Sequence, residues 1–107
     1  MATTFAKVVN GEVVICNQYG GRISSFRPQS GGAAVFVDVH PGNGKMLVTT
    51  DSGKVIICNN TGGWISSFDG NGRKIVLARW QGDDIFSQNA DGSCVLRTSN
   101  GGWKHPL

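Results

Sequence analysis

With 107 residues the chain supplies one domain at most. Hydrophobic residues make up 39% and charged residues 16%, which excludes a disordered polar tract and a coiled coil, since either needs far more charge. The net charge of +3 comes from ten basic residues scattered from Lys7 to Lys104, with no run among them, so binding of nucleic acid is not expected.

Sixteen glycines fall between short apolar runs, where turns need a positive φ, and this points to strands. Cys16, Cys58 and Cys94 are odd in number and lack CxxC spacing. They fit neither a disulfide framework nor a zinc site, and no cofactor or metal is expected. Met1 leads into ATTFAKVVNG without a charged and then apolar leader, and no apolar stretch reaches membrane-spanning length. The expectation is a cytoplasmic chain with no membrane association; a virion component made in the cytoplasm would have the same features.

In chain order, the first unit (residues 1–26) contains GEVVICNQYGGRISSF from Gly11 to Phe26. The second (27–68) repeats it as GKVIICNNTGGWISSF from Gly53 to Phe68, with eleven of sixteen positions identical at an offset of 42. The third (69–107) carries a decayed copy, GSCVLRTSNGGWKHPL from Gly92, at an offset of 39. Extended backwards, the alignment places Phe5, Leu47 and Phe86 at one position. Spacing of this order marks a repeat architecture.

Each unit reads as strand, Asp/Asn/Gly turn, strand, Gly-Gly turn, strand. Two units have an additional earlier run, AAVFVDVH at 33–40 and KIVLARW at 74–80, which the first lacks. The predicted fold is all-β, about eleven antiparallel strands grouped three, four and four. Contiguous runs such as VVIC and VIIC suit strands covered on both faces, as in sheets stacked on sheets.

The middle unit, with His40-Pro41 ending one strand, Gly44-Lys45 before the next, then Asp51-Ser52-Gly53 and Gly62-Gly63, resembles a blade of a β-propeller of the broad WD or NHL-like kind. Cys16-Asn17 and Cys58-Asn59 stand where the Trp-Asp pair of the WD pattern would be. The resemblance implies four-stranded blades. Because propellers typically have four to eight of them, three units imply a ring closed by oligomerisation, for example two chains with three blades each. A β-prism or β-trefoil, closed by three repeats in one chain, is the alternative.

No catalytic constellation emerges. His40 could join Asp38 or Asp51 in a triad, but no nucleophile context accompanies them, and a strand-end role is the simpler one. Asp83 and Asp84 are the one adjacent carboxylate pair and read as a turn cap. Cys16 and Cys58 share a repeat position, which suits packing better than a nucleophile needed once; Arg97 takes that position in the third unit and implies a surface or interface there. The recurrence directly after Gly-Gly of Arg22, Trp64 and Trp103 offers planar side chains that could stack on sugars or flat partners, or else fill the joints between units. The expected function is a non-catalytic structural, assembly or protein-binding module that associates with copies of itself, with a multivalent carbohydrate-binding protein as the alternative. A component of a larger particle, a virion included, falls within the first class.

Overall fold

The computed structural model describes residues 4–28 and 32–107. Its strands form three separate antiparallel sheets. The first holds β1 (Thr4–Val9), β2 (Glu12–Asn17) and β3 (Arg22–Phe26). The middle sheet holds β4 (Ala34–Val39), β5 (Met46–Thr50), β6 (Val55–Cys58) and β7 (Trp64–Phe68), and the last holds β8 (Ile75–Gln81), β9 (Asp84–Asn89), β10 (Cys94–Arg97) and β11 (Trp103–Pro106), each in simple meander order. The counts of three, four and four are those the repeat implies. Three distinct sheets stacked face to face also set aside the closed prism and trefoil.

On the inner side of the stack β1 approaches β4, and β4 approaches β8. Outermost in each sheet is β3, β7 or β11. Two apolar layers hold the stack together. Val13 and Ile15 of the first sheet meet Met46, Val48, Ile56 and Cys58 of the middle one. On the other side of the middle sheet, Leu47, Val55 and Ile57 meet Ile75, Ala78 and Ile85 of the last. Strands β5 and β6 are therefore buried along their whole length, which is why their sequences do not alternate with polar residues.

The outer turns show why Asn-x-x-Gly-Gly recurs. Asn17 and Asn59 each accept the i+3 amide on the backbone carbonyl, and each donates its own amide to the carbonyl of the second glycine. Their side-chain Oδ1 also accepts the amide of that glycine, Gly21 at 2.9 Å and Gly63 at 2.8 Å. Thr98 does the same with its hydroxyl toward Gly102. The first glycine supplies the positive φ of a three-residue hairpin loop, 94° at Gly62. The second must be bare because the capping side chain folds over it; a Cβ on Gly63 would lie 2.7 Å from Asn59.

One alignment changes. In the structure Ala6 pairs with Ile15 as Leu47 pairs with Ile57 and Phe86 with Leu96, so Ala6, and not Phe5, is the partner of Leu47 and Phe86. The cause is the turn between β1 and β2. Asn10 and Gly11, with φ of 51° and 80°, make a two-residue connection, whereas Asp51-Ser52-Gly53 and Ala90-Asp91-Gly92 make three-residue ones closed by Thr50 and Asn89. One residue fewer reverses which face each β1 side chain takes. Phe5 accordingly points away from the middle sheet and is 43% exposed.

Gly20 and Gly62 share a backbone conformation, but a Cβ on Gly62 would lie 2.7 Å from the Phe26 ring while one on Gly20 meets nothing within 4 Å. Gly20→Ala is expected to cost about 1 kcal/mol in urea denaturation, the backbone term alone. For Gly62→Ala the loss should be larger by a further ~1–3 kcal/mol, because the ring must move. Equal losses would mean that the aromatic ring does not occupy that space.

Candidate functional site

The joints between sheets follow a rule that the sequence repeats. Phe26 at the end of β3 presses on Gly62 in the next outer turn, and Phe68 at the end of β7 presses on Gly101 in the turn after that. The third member of the series is Leu107, whose amide bonds to Cys94 O as the strand pairing runs out, and it is 62% exposed. At the opposite end of the stack Gly20 occupies the receiving position with open space above it. The two ends of the stack thus carry the two halves of a contact made twice inside it.

The end faces are partly apolar. The outward face of the first sheet presents Phe5, 43% exposed, and Val9, 42% exposed, beside Lys7. The outward face of the last sheet presents Phe86, Leu96 and Cys94, half-buried at the places taken by the fully buried Leu47, Ile57 and Val55 in the middle sheet. Arg79 lies over the Phe86 ring, 4.8 Å from its centre.

On the inner side the joint between the middle and last sheets is pinned by polar groups. Asp38 Oδ2 accepts the Trp80 amide at 2.7 Å, and the Trp80 indole N–H donates to Lys45 O at 3.1 Å. The His40 ring packs edge-on against Trp80 with centroids 5.0 Å apart. Its Nδ1 accepts the amides of Gly42 and Asn43, so Nε2 carries the proton and donates to Asp83 at 2.8 Å. The carboxylate that His40 meets is therefore Asp83 of the next sheet, and neither Asp38 nor Asp51 of its own, with Asp51 accepting the Ala33 amide. Asp84 turns away to Lys104 at 3.0 Å. The adjacent acids serve two different partners and do not act as a pair.

Arg97 is 8% exposed and lies inside the joint, so of the surface or interface expected at this position it is the interface between blades that the structure shows. It replaces the cysteine of the other units and spreads its guanidinium over Ser87 Oγ at 3.1 Å, Gly101 O at 3.0 Å and Asp69 O at 3.2 Å, with the Phe68 ring 4.6 Å away. Burial pulls its pKa down, opposed by the nearby charge of Asp69. Satisfied donors on one side and an aromatic face on the other make this burial tolerable. Cys58 is buried at the same repeat position, and burial pushes its thiol up to about 11, far from a reactive thiolate.

The recurring planar residues stand at the start of the outer strands, each on its own sheet. Trp64 is 52% and Trp103 61% exposed, and Arg22 is exposed with its guanidinium on Ser25 Oγ at 2.5 Å. Trp64 also lines a small cleft at the first joint with Phe26, Arg27 and Pro28. Its ring borders the joint without filling it. Among the described residues no three His, Cys, Asp or Glu side chains converge as a metal set.

Solved structures with the same stacking of sheets decide the architecture. The chain superposes on the β-propeller domain of Cps50 (Swd1) from Myceliophteria thermophila over 99% of its length with a TM-score of 0.68 at 14% identity. Each sheet is a propeller blade. Sqt1 of Saccharomyces cerevisiae matches over 98% with a TM-score of 0.73 at 13% identity, and BamB of Moraxella catarrhalis over 99% with 0.63 at 15%. These three blades span about a third of each of those chains, 33%, 30% and 33% respectively. No protein-family model matches the sequence, and no curated protein matches it either.

Blade packing also orders the thiols. In a single copy at pH 8 a maleimide or disulfide reagent should modify Cys94 first, since it is the half-buried thiol on an uncovered blade face, and a sheet packed on that face would protect it. Cys16 and Cys58 should react only as the chain unfolds. Rapid labelling of Cys58 in the folded protein would contradict its burial between blades.

Proposed function

We propose that the chain is a non-catalytic assembly and protein-binding module that closes into a propeller-like ring with copies of itself. The observation that carries this reading is the complementarity of its ends: Leu107 stands exposed in the place of Phe26 and Phe68, and Gly20 waits uncovered in the place of Gly62 and Gly101. Head-to-tail contact of two copies would make a third joint of the kind already made twice. Such a contact covers Phe5, Val9 and Leu107, each worth up to about 1.5–3 kcal/mol if fully buried. It is heterologous, and it ends in a closed ring where the rotation between blades allows closure. Two copies would give six blades, within the usual range.

A second reading rests on the exposure of Trp64 and Trp103 at equivalent places on neighbouring blades, which suits stacking on flat ligands such as sugar rings. In this alternative the ring displays several equal sites on its outer rim.

Light scattering on the native chain is expected to give a defined multiple of 11.3 kDa. Leu107→Asp should reduce this to a single copy with unchanged circular dichroism, since the side chain is exposed within one copy. A native mass of one copy across the accessible concentration range would reject closure. In the same experiment Trp64→Ala should leave the mass intact; a coincident loss of binding to a glycan array would support the second reading.

A further inference from the structure

Among the described residues the first blade has three strands, with no counterpart of the inner strand that β4 and β8 provide to the other two. Strand β5, flanked on both sides, is buried throughout. Strand β1, its equivalent, has one neighbour and leaves its inner edge unpaired among the described residues. We infer that the free inner edge of β1 receives, by strand addition, an extended apolar segment of another polypeptide that carries an acidic residue opposite Ala6.

Register defines what fits. In the middle blade Asp38 lies opposite Leu47 and reaches across to the backbone amide of Trp80 in the next inner strand. Ala6 is the counterpart of Leu47, and Val39, opposite Met46, is the counterpart of Trp80, opposite Ile85. A carboxylate opposite Ala6 would therefore face the Val39 amide as Asp38 faces that of Trp80. This is a charge-assisted bond, and it also caps an edge that is otherwise open to aggregation.

The far end of the segment has a seat as well. Each existing inner strand begins by donating its first amide to the inner-turn glycine of the preceding blade, Ala34 to Gly11 at 2.9 Å and Ile75 to Gly53 at 3.2 Å. At those glycines a Cβ would meet the arriving chain, Ala33 at 2.8 Å and Lys74 at 2.7 Å. Gly92, next in the series, has nothing within 4 Å. In the closed ring a segment on β1 of one copy would start against Gly92 of its neighbour. That one contact rests on the proposed closure, and the pairing with β1 does not. Among the described residues all eleven strands are already paired within their own sheets. None of them is free to serve as donor, so the partner proposed is a different chain, and recognition combines a backbone ladder with one acid.

The test uses a synthetic peptide of residues 33–40, AAVFVDVH, the sequence that fills this place in the middle blade. Added to the native protein, it should slow amide exchange across Phe5–Val9, and its Asp38→Asn version should bind about tenfold more weakly. A scrambled peptide of the same composition should not protect β1. Absence of protection at β1, protection by the scrambled peptide, or accelerated exchange in β4 from displacement of the native strand would each overturn the inference. Capture of the peptide by a single-copy protein, with the mass read in parallel, would uphold it while rejecting ring closure.

Discussion

Everything in this chain depends on sheets being covered on both faces by other sheets. A four-stranded sheet of Val, Ile, Leu and Met cannot stand in water. The middle blade shows the requirement met: β5 and β6 are buried along their length, and even Thr49 and Thr50 within them are inaccessible. The blades on either side are built from the same kind of residue and have one covered face each. Their outward faces keep Phe5, Val9, Phe86 and Leu96 partly in contact with solvent. The physical problem posed by the sequence is what covers them.

The joints use two devices, separated along the radius. On the outer side an aromatic ring lies against a glycine that has no side chain to obstruct it, so the spacing between blades is set by ring thickness. On the inner side the devices are polar: the Asp38 carboxylate on a backbone amide, and the proton of His40 directed at Asp83 because its other nitrogen is occupied by two amides. Asp83 is almost fully exposed, so its bond to His40 orients more than it stabilises. Arg97 joins the two zones, with its ring contact to Phe68 outside and its bonds to main-chain oxygens beneath.

Much of this architecture is legible in the sequence, because a repeat states its own register. Cys16 over Cys58 and Gly-Gly over Gly-Gly are enough to count strands and locate turns, and unbroken runs such as VIIC disclose two-sided burial. What stayed hidden depended on distances that cross units. The backward extension to Phe5 failed because a two-residue turn and a three-residue turn look alike as Asn-Gly and Ser-Gly, yet they assign opposite faces. Arg97 reads as a surface or interface residue, and only the convergence of Ser87, Gly101 and Asp69 reveals how it is satisfied inside a joint. His40 reads as a strand-end residue and does follow the last residue of β4, but its partner Asp83 lies 43 residues on, across a joint, where the sequence offers no pairing signal. Trp64 and Trp103 stand out in the sequence as a series, but their exposure follows from the capped turn that holds them outside the joint.

The polar clusters whose partners lie in another blade, His40 with Asp83, Asp38 with Trp80, and Arg97 with Asp69, are each joined by a bond across the joint between the middle and last blades, and so serve the stacking of one sheet on the next. The side chains left with unfilled surroundings are of another kind: an exposed leucine where a phenylalanine belongs, an uncovered glycine, an unpaired strand edge. These are deficits of packing and of backbone pairing, and a polypeptide surface supplies both. A small ligand could occupy the rim beside Trp64, but it could not complete the β ladder of the first blade or cover its outward face.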